Sequence, residues 1–199
     1  MNGYVKAARA SVQPSRRDIA LEHLRSLDWI TEFKAFLRVT RKPHLSYLDL
    51  NPHDFAVFML FVLVRANTAG QVKLWLRRAC PTCGKRVNSR FPNRAFNLRA
   101  EEPWGHYGLR IVPDLMVFDQ NGTVAVCLEV HRAHEVKPHK QKRYMLMGMR
   151  LVEVGFDGVL EAIKQHLDGQ TDVWFWVERE ALLQRVRCPN CPSKKPVNR

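Results

Sequence analysis

The chain has 199 residues with an ordinary apolar content of 46%, which excludes a disordered chain and allows a hydrophobic core in one domain, with or without a subdomain. Its 32 lysines and arginines outnumber its 19 aspartates and glutamates, so the formal net charge is +13. This excess predicts a polyanionic partner, nucleic acid rather than membrane, because no segment resembles a lipid anchor. The alternative is a charge that serves solubility or a place inside a larger nucleoprotein assembly.

Residues 1–17 form a basic arm or targeting segment, with four basic side chains, two serines and no acid. This composition is typical of an organellar transit peptide and equally of an arm that binds nucleic acid. Both interpretations stay open. No secretory signal is present, so we expect an intracellular protein of the cytoplasm, the nucleus, a virus or an organelle.

Residues 18–79 are predicted to be a helical region. Apolar residues at helical spacing over 18–37 predict one amphipathic helix, or two that are broken near Asp28. The apolar run 55–64 is too short to cross a bilayer. An asparagine and a proline that suit a helix start precede it, so a buried helix is predicted from about 52 to 66.

Residues 80–107 begin with C-P-T-C-G, and residues 188–199 begin with C-P-N-C. Each motif sets two thiolates on a tight turn, and two such pairs complete a tetrahedral zinc site. The predicted structural zinc ligands are Cys80, Cys83, Cys188 and Cys191. The tail is therefore expected to fold back towards residue 80. The alternatives are disulfides, which the lack of a secretory signal disfavours, and two separate redox pairs.

The segment after the first cysteine pair mixes arginines with aromatic residues, a pattern that suits phosphate contact and base stacking. The alternative is a surface loop whose aromatic side chains pack inward. Together with two basic residues of a later helix, the predicted nucleic-acid-binding residues are Arg86, Arg90, Arg94, Arg99, Lys140 and Arg143.

Two apolar, β-branched runs over residues 110–131 flank Asn121-Gly122, the pattern of a hairpin with a two-residue type I′ turn. The resulting register pairs Asp114 with Glu129 and sets both on one face, together with His131. The other predicted pairs are Gln120 with Thr123, Phe118 with Ala125, and Met116 with Cys127. Cys127 is accordingly expected to be a core residue.

Two adjacent carboxylates in an apolar hairpin repel each other, and a divalent cation between them would supply the missing partner. The hard oxygen ligands favour Mg²⁺ or Mn²⁺. The alternative is that the Pro-Asp pair is an ordinary turn and that the glutamate lies at a strand edge.

The order P-D, apolar strand, then E-V-H resembles the signature of the PD-(D/E)XK nuclease superfamily. The continuation H-R-A-H-E-V-K-P-H-K, followed by V-E-V and G-F-D-G-V-L-E-A-I, is more specifically similar to the competence protein CoiA-like branch. The likeness covers about residues 108–178.

The resemblance implies an α/β fold with a restriction-endonuclease-like three-layer core, a mixed sheet flanked by helices, over residues 108–187. It also implies that Asp114 and Glu129 hold the catalytic metal. His131 stands where the family has a lysine and would orient water, and Lys137 or Lys142 would take the place of the lysine.

The pattern beyond the hairpin predicts strands alternating with helices, with parallel pairing wherever a helix crosses over. The predicted elements are a helix at 138–149, a strand at 150–154, a turn at 155–158, a helix at 159–167, a strand at 172–177 and a helix at 178–186.

The leading hypothesis is a metal-dependent nuclease that binds and cleaves nucleic acid, with DNA favoured over RNA. The second hypothesis is an inactive nuclease fold that binds nucleic acid or serves as a structural component of an assembly. A third is a zinc-ribbon interaction module in which the carboxylate pair is incidental.

Overall fold

A computed structural model describes residues 28–40, 42, 44–47, 50–80, 83–92, 97–106, 108–132 and 136–181. The basic arm and the second cysteine pair lie outside these residues. The described part contains four helices, α1 (Trp29–Val39), α2 (Pro52–Thr68), α3 (Pro138–Leu146) and α4 (Phe156–Leu167). Its nine strands are β1 (Lys73–Ala79), β2 (Arg86–Arg90), β3 (Asn97–Ala100), β4 (Trp104–His106), β5 (Leu109–Ile111), β6 (Leu115–Phe118), β7 (Val124–His131), β8 (Leu151–Gly155) and β9 (Asp172–Ala181).

Seven strands form one mixed sheet in the order β2-β1-β9-β8-β7-β6-β3, and β4 and β5 form a separate hairpin. The prediction of an α/β fold with a mixed sheet flanked by helices is confirmed. Strand β7 pairs with β6 in antiparallel orientation and with β8 in parallel orientation.

Helix α2 is the centre of the larger core. The Asn51 side chain caps it by accepting a hydrogen bond from the Asp54 N–H at 2.9 Å, and Pro52 fills its first turn. Every residue from Asp54 to Val64 is buried. The predicted buried helix is therefore confirmed, and it supports the sheet from one side.

Side chains of the central strands alternate between two cores, as the two-residue period of a strand requires. Val117, Leu128 and Val152 face the larger core with α1, α2 and α4. Met116 and Cys127 face a smaller core beneath α3 and the β4–β5 hairpin. The sheet is thus covered on both faces in its central part, and Cys127 is a core residue as predicted.

The hairpin departs from the predicted turn. Gly122 donates to the Asp119 carbonyl at 3.1 Å with φ of +72°, and the Asp119 N–H donates to the Thr123 carbonyl. The loop therefore has three residues rather than two. The extra loop residue pairs Thr123 with Asp119 and Phe118 with Val124, so two predicted pairs are wrong, and a bulge follows between Phe118 and Val117. The bulge cancels the extra loop residue, so Met116 still pairs with Cys127, as predicted.

Three predictions for the later elements are wrong. Residues 155–158 are not a turn, because α4 begins at Phe156. Residues 178–181 are not helical, because they extend β9 along β8. The β8–β9 ladder is antiparallel although a helix connects the two strands, since β9 enters the sheet beside β1, with which it pairs in parallel.

The segment 18–79 contains more than helices. Helix α1 begins after Asp28, whose carboxylate accepts a hydrogen bond from Thr31 N–H at 3.3 Å, close to the predicted break. The last seven residues of the segment form β1 and belong to the sheet. In the described ranges, no helix is long and apolar enough to cross a membrane.

Candidate functional site

Asp114 and Glu129 lie beside each other at one end of the β6–β7 ladder. The last paired residues are Leu115 and Leu128, so the two acids occupy the next position on the two chains. Asp114 Oδ2 accepts a hydrogen bond from the Val130 N–H at 2.7 Å. The predicted juxtaposition on one hairpin is therefore present.

Glu129 is 4% exposed and its charge is compensated from helix α3. The ammonium of Lys140 lies 2.6 Å from Glu129 Oε1, and the Tyr144 hydroxyl donates to the same oxygen. Lys140 and Tyr144 are four residues apart and share the helix face that points at the sheet. Helix α3 thus supplies a cation and a hydrogen-bond donor to a buried carboxylate.

The environment of Glu129 favours its neutral form. Burial raises the pKa of Glu129, and the charge of Asp114 raises it further, whereas Lys140 and Tyr144 lower it, so that its pKa is about 7. Burial also raises the pKa of Tyr144 and that of Cys127, so both stay protonated. Glu129 therefore titrates near neutral pH, as carboxylates at functional sites often do.

His53, from the first turn of α2, contacts Asp114 from the other side. Its Nε2 lies 3.2 Å from Asp114 Oδ2, and this hydrogen bond raises the pKa of His53, with burial opposing. The two acids are thus stabilised by different elements, Asp114 by α2 and Glu129 by α3.

Glu153 adds a third acid to the group. It pairs in register with Glu129 on the parallel strand β8, and it is fully buried. Its Oε1 accepts from the Val136 N–H at 2.6 Å, while Oε2 has no hydrogen-bond partner among the described residues. An unsatisfied buried carboxylate oxygen is costly and suits a cation or a proton that the protein atoms alone do not supply.

His131 lies at the same end of the sheet. Its Nδ1 is 3.8 Å from Glu153 Oε1, is buried, and has no hydrogen-bond partner in the described part of the chain. We define the carboxylate site as Asp114, Glu129 and Glu153 together with His131 and Lys140.

A second polar cluster adjoins Asp114. The metal-ligating atoms of His53, Asp54 and Glu101 lie within 4.8 Å of one another. The Lys42 ammonium is 2.9 Å from Asp54 Oδ1 and 2.9 Å from Glu101 Oε1, and so already balances these charges. Glu101 adopts a φ of +50° and donates its N–H to the Asp114 carbonyl at 3.2 Å. Through this hydrogen bond the cluster holds the backbone of Asp114 in place.

The lysines differ from the expected arrangement. Lys137 and Lys142 are exposed, whereas Lys140, predicted to bind nucleic acid, contacts Glu129. Lys137 precedes the helix, and Lys142 lies two residues from Lys140, a rotation of about 200° that turns it to solvent. The lysine in contact with the site is thus neither of the two expected ones.

The predicted nucleic-acid-binding arginines do not form one surface. Arg86 and Arg90 are exposed on β2, one edge of the sheet. Arg99 lies on β3, the opposite edge, in an ion pair of 3.1 Å with the acid three residues on. Arg143 is exposed and donates to a backbone carbonyl. Arg94 lies outside the described residues.

The first cysteine pair lies at the turn between β1 and β2. The Gly84 N–H donates to the Cys80 carbonyl at 2.8 Å, and Gly84 has φ of +68°. This hydrogen bond closes a turn that contains both cysteines of the predicted zinc-binding pair, Cys80 and Cys83. Cys188 and Cys191 lie outside the described residues.

Four residues in or beside the site, namely His53, Lys140, Tyr144 and Glu153, make contacts that the sequence interpretation did not predict. For Glu153 a signal exists, since a glutamate in the middle of a short apolar strand repeats the context of Glu129. For Tyr144 the helical spacing to Lys140 is a signal. His53 has none, because its contact with Asp114 joins elements 61 residues apart.

Comparisons of the chain with protein-family models, with curated proteins and with solved structures find no match. The chemistry of the site therefore has to carry the functional argument. Its oxygen donors are of the kind that hard divalent cations prefer, and Glu153 Oε2 has no hydrogen-bond partner among the described residues. Among the described residues, three possible ligand atoms come within 4.8 Å of one another only in the cluster of His53, Asp54 and Glu101. A Mg²⁺ or Mn²⁺ ion at Asp114, Glu129 and Glu153 is therefore proposed rather than observed.

Proposed function

We propose that the protein is a metal-dependent nuclease-like enzyme that binds nucleic acid, DNA in preference to RNA, and cleaves its phosphodiester bonds. The observation that carries the proposal is the buried Glu129 carboxylate beside Asp114, with the Lys140 ammonium 2.6 Å away. Two acids and one lysine near a common point match the groups of the PD-(D/E)XK signature that the sequence resembles, and a divalent cation held there would activate water.

The order of the elements around the site supports the same proposal. Strands β3, β6 and β7 form an antiparallel meander, and α3 then leads to β8, which lies parallel to β7. This order agrees with the restriction-endonuclease-like core that the PD-(D/E)XK and CoiA-like resemblance implies. We propose that the residues from β3 to β8 have this fold.

The residues of the site have separable roles in the proposed reaction. Asp114 and Glu129, with Glu153 as a third oxygen donor, would hold Mg²⁺ or Mn²⁺. The ion supplies Lewis-acid activation of water and neutralises charge on the scissile phosphate. Lys140 stabilises the negative charge of the phosphate in the transition state. His131 would orient the attacking water, the role that the resemblance gives to this position.

A second candidate function is nucleic-acid binding without cleavage. The observation that favours it is the ion pair between Lys140 and Glu129, which balances the acid without a metal. The net charge of +13 supports binding in either case.

We also propose that Cys80, Cys83, Cys188 and Cys191 hold a structural zinc ion. Strands β1 and β9 are parallel with Arg77 beside Trp176, so a continued register brings Cys80 level with residue 179. The chain therefore leaves β9 at the end of the sheet where the first cysteine pair lies.

The test is a cleavage assay on single-stranded and duplex DNA and on RNA, with Mg²⁺, with Mn²⁺ and with EDTA. We expect DNA cleavage by the wild type with either metal and none with EDTA. Asp114→Ala and Glu129→Gln should each lose activity about 100-fold or more, since each removes a metal-holding oxygen.

Two lysine variants serve as a matched pair in the same assay. Lys140→Met should abolish cleavage, whereas Lys142→Met, the same change on the solvent side of the same helix, should retain it. Circular dichroism and thermal unfolding check that each variant folds. Equal cleavage by Asp114→Ala, Glu129→Gln and the wild type would overturn the proposal, and salt-sensitive binding without cleavage in either metal would establish the second candidate.

A further inference from the structure

Three of the chain's five tryptophans lie together on one face of the sheet. Trp75 on β1 is directly beside Trp174 on β9, and Arg77 on β1 is beside Trp176. On the other edge of β1, Trp75 pairs with Arg90 of β2. We call these five residues the tryptophan–arginine face.

The side chains of this face stack on one another. The rings of Trp75 and Trp174 are 5.3 Å apart and nearly parallel, at 18°. The Arg77 guanidinium lies over the Trp174 ring at 4.6 Å from its centroid. The Trp75 indole donates to Asp172 at 2.7 Å, which fixes the ring. These contacts therefore fix the Trp75, Trp174 and Arg77 side chains relative to one another.

No described helix or strand has a residue in a core cluster on that side of β1 and the first half of β9. The alternate residues Leu74 and Phe175 point into the larger core, so the tryptophans point away from it. Trp176 is 43% exposed. The Trp176 ring beside the two stacked tryptophans is therefore accessible to a planar group that could stack on it.

The charge of the face suits a polyanion. Lys73, Arg86 and Arg90 are exposed on the same side. Within the described ranges, Arg77 has no ion pair, and its Nε has no hydrogen-bond partner. The acids on this side are Asp172, which accepts from Trp75, and Glu178. Cations beside stacked aromatic rings are the arrangement that binds single-stranded nucleic acid.

The same face leads to the carboxylate site. A Cβ on Gly155 would lie 3.0 Å from Glu178 Oε1 and 3.8 Å from His131 Nε2, so β9 and β7 side chains meet above β8. Strand β1 is three strands from β7, a distance of about 14 Å. The tryptophan–arginine face therefore lies on the same side of the sheet as the carboxylate site and close to it.

We propose that the tryptophan–arginine face binds single-stranded DNA, with bases stacked on Trp176 and phosphates held by Arg77 and Arg90, and directs the strand to the carboxylate site. The inference rests on the proposed action on DNA and names the form of the substrate. Single strands are favoured because a duplex keeps its bases stacked inside and cannot offer them to Trp176.

The test measures the binding of a labelled oligothymidylate by fluorescence anisotropy, in EDTA so that nothing is cleaved. We expect Trp176→Ala to weaken binding about tenfold, the size of one lost base-stacking contact. Ile30→Ala, which shortens an apolar side chain that is 52% exposed on α1, should leave binding unchanged. An abasic strand of the same length has phosphates but no bases, so it measures the contribution of charge alone. Its affinity should be the same for the wild type and for Trp176→Ala.

The arginines are tested by the salt dependence of the same binding. Arg77→Ala and Arg90→Ala should each lower the slope of log affinity against log salt by about 1. Arg38→Ala, an exposed arginine of α1, should leave the slope unchanged. Tryptophan fluorescence should be quenched by oligothymidylate in the wild type and less in Trp176→Ala.

Several outcomes would overturn the inference. These are wild-type affinity in Trp176→Ala, an equal loss of affinity on the abasic strand, and binding to duplex DNA or to RNA as tight as to single-stranded DNA. The proposed nuclease function fails separately, if wild type and Glu129→Gln cleave equally while Trp176→Ala still loses binding.

Discussion

Glu129 is a carboxylate in a place where its charge is costly. Its pKa of about 7 in the folded protein lies above the ordinary value of 4.5 because burial and Asp114 both oppose ionisation. Between these two values the folded state binds a proton that the unfolded state has lost. Stability therefore falls as the pH rises through this window and is level above it.

The corresponding prediction concerns Glu129→Gln, which keeps the shape of the side chain and cannot ionise. Between pH 5 and pH 8 the wild type should lose about 3 kcal/mol of unfolding free energy that the variant keeps. Urea unfolding of both proteins at the two pH values measures the difference. Parallel pH dependence in the two proteins would contradict the assignment of this titration to Glu129.

At this scale the sequence predicted the acids better than their partners. The juxtaposition of Asp114 and Glu129 follows from pairing within one hairpin, which is local information. The position of Lys140 could also have been predicted, because it lies four residues before Tyr144, whose side chain points inward. His53 was not, because only the packing of α2 against the sheet brings it to Asp114.

At the scale of elements, the β6–β7 hairpin holds the site in register. Its loop needs Gly122 in the left-handed region, with φ of +72°, where a Cβ is strained even though the surrounding space is open. Gly158, in helix α4, has ordinary helical φ, and an added Cβ would meet its nearest atom at 3.8 Å.

Replacement by alanine is therefore expected to have opposite effects on stability at these two glycines. Gly122→Ala should destabilise the protein by about 1 kcal/mol or more, because alanine is strained at positive φ. Gly158→Ala should stabilise it by about 0.5–1 kcal/mol, because alanine loses less backbone entropy in a helix. Chemical unfolding measures both, and destabilisation by the two variants alike would refute this account of the loop.

The hairpin also illustrates how far local sequence predicts structure. The strands and the pairing of Met116 with Cys127 were predictable from alternation and the position of the turn. The compensating bulge was not, because it lies at Phe118, whose ring packs on Trp104 at 5.5 Å and under Arg99 at 5.3 Å. Those contacts come from other strands, and no property of the loop residues encodes them.

At the scale of the whole molecule, the sheet joins distant parts of the chain. The proposed zinc ion would link two further distant parts of the chain, the β1–β2 turn and the residues after β9. We expect a single bound zinc ion per chain, lost in both Cys80→Ser and Cys188→Ser, because each removes a thiolate ligand. Cys127→Ala should keep the zinc, since Cys127 lies in the core 4.0 Å from the Met149 sulfur.

Elemental analysis of the purified variants measures the zinc content, and thermal unfolding with and without a chelator measures its effect on stability. Chelation should lower the unfolding temperature of the wild type and of Cys127→Ala, and leave the serine variants unaffected. Full zinc content in Cys188→Ser would exclude the proposed ligand set.

The overall α/β architecture was predictable because strands and helices alternate clearly after residue 110. The position of β9 was not. Strand β9 lies between β1 and β8, and the pairing with both neighbours sets its direction. The rule that two strands joined by a helix are parallel considers only those two strands and does not include the third.

This insertion has a consequence for the order in which the protein is made. Trp75 and its partner Asp172 are 97 residues apart. At the usual rate of translation, β1 leaves the ribosome about 5 to 20 s before β9 is available. During that interval the apolar Leu74 and Leu76 have no neighbouring strand on that side, so nascent chains should need protection from aggregation until β9 closes the sheet.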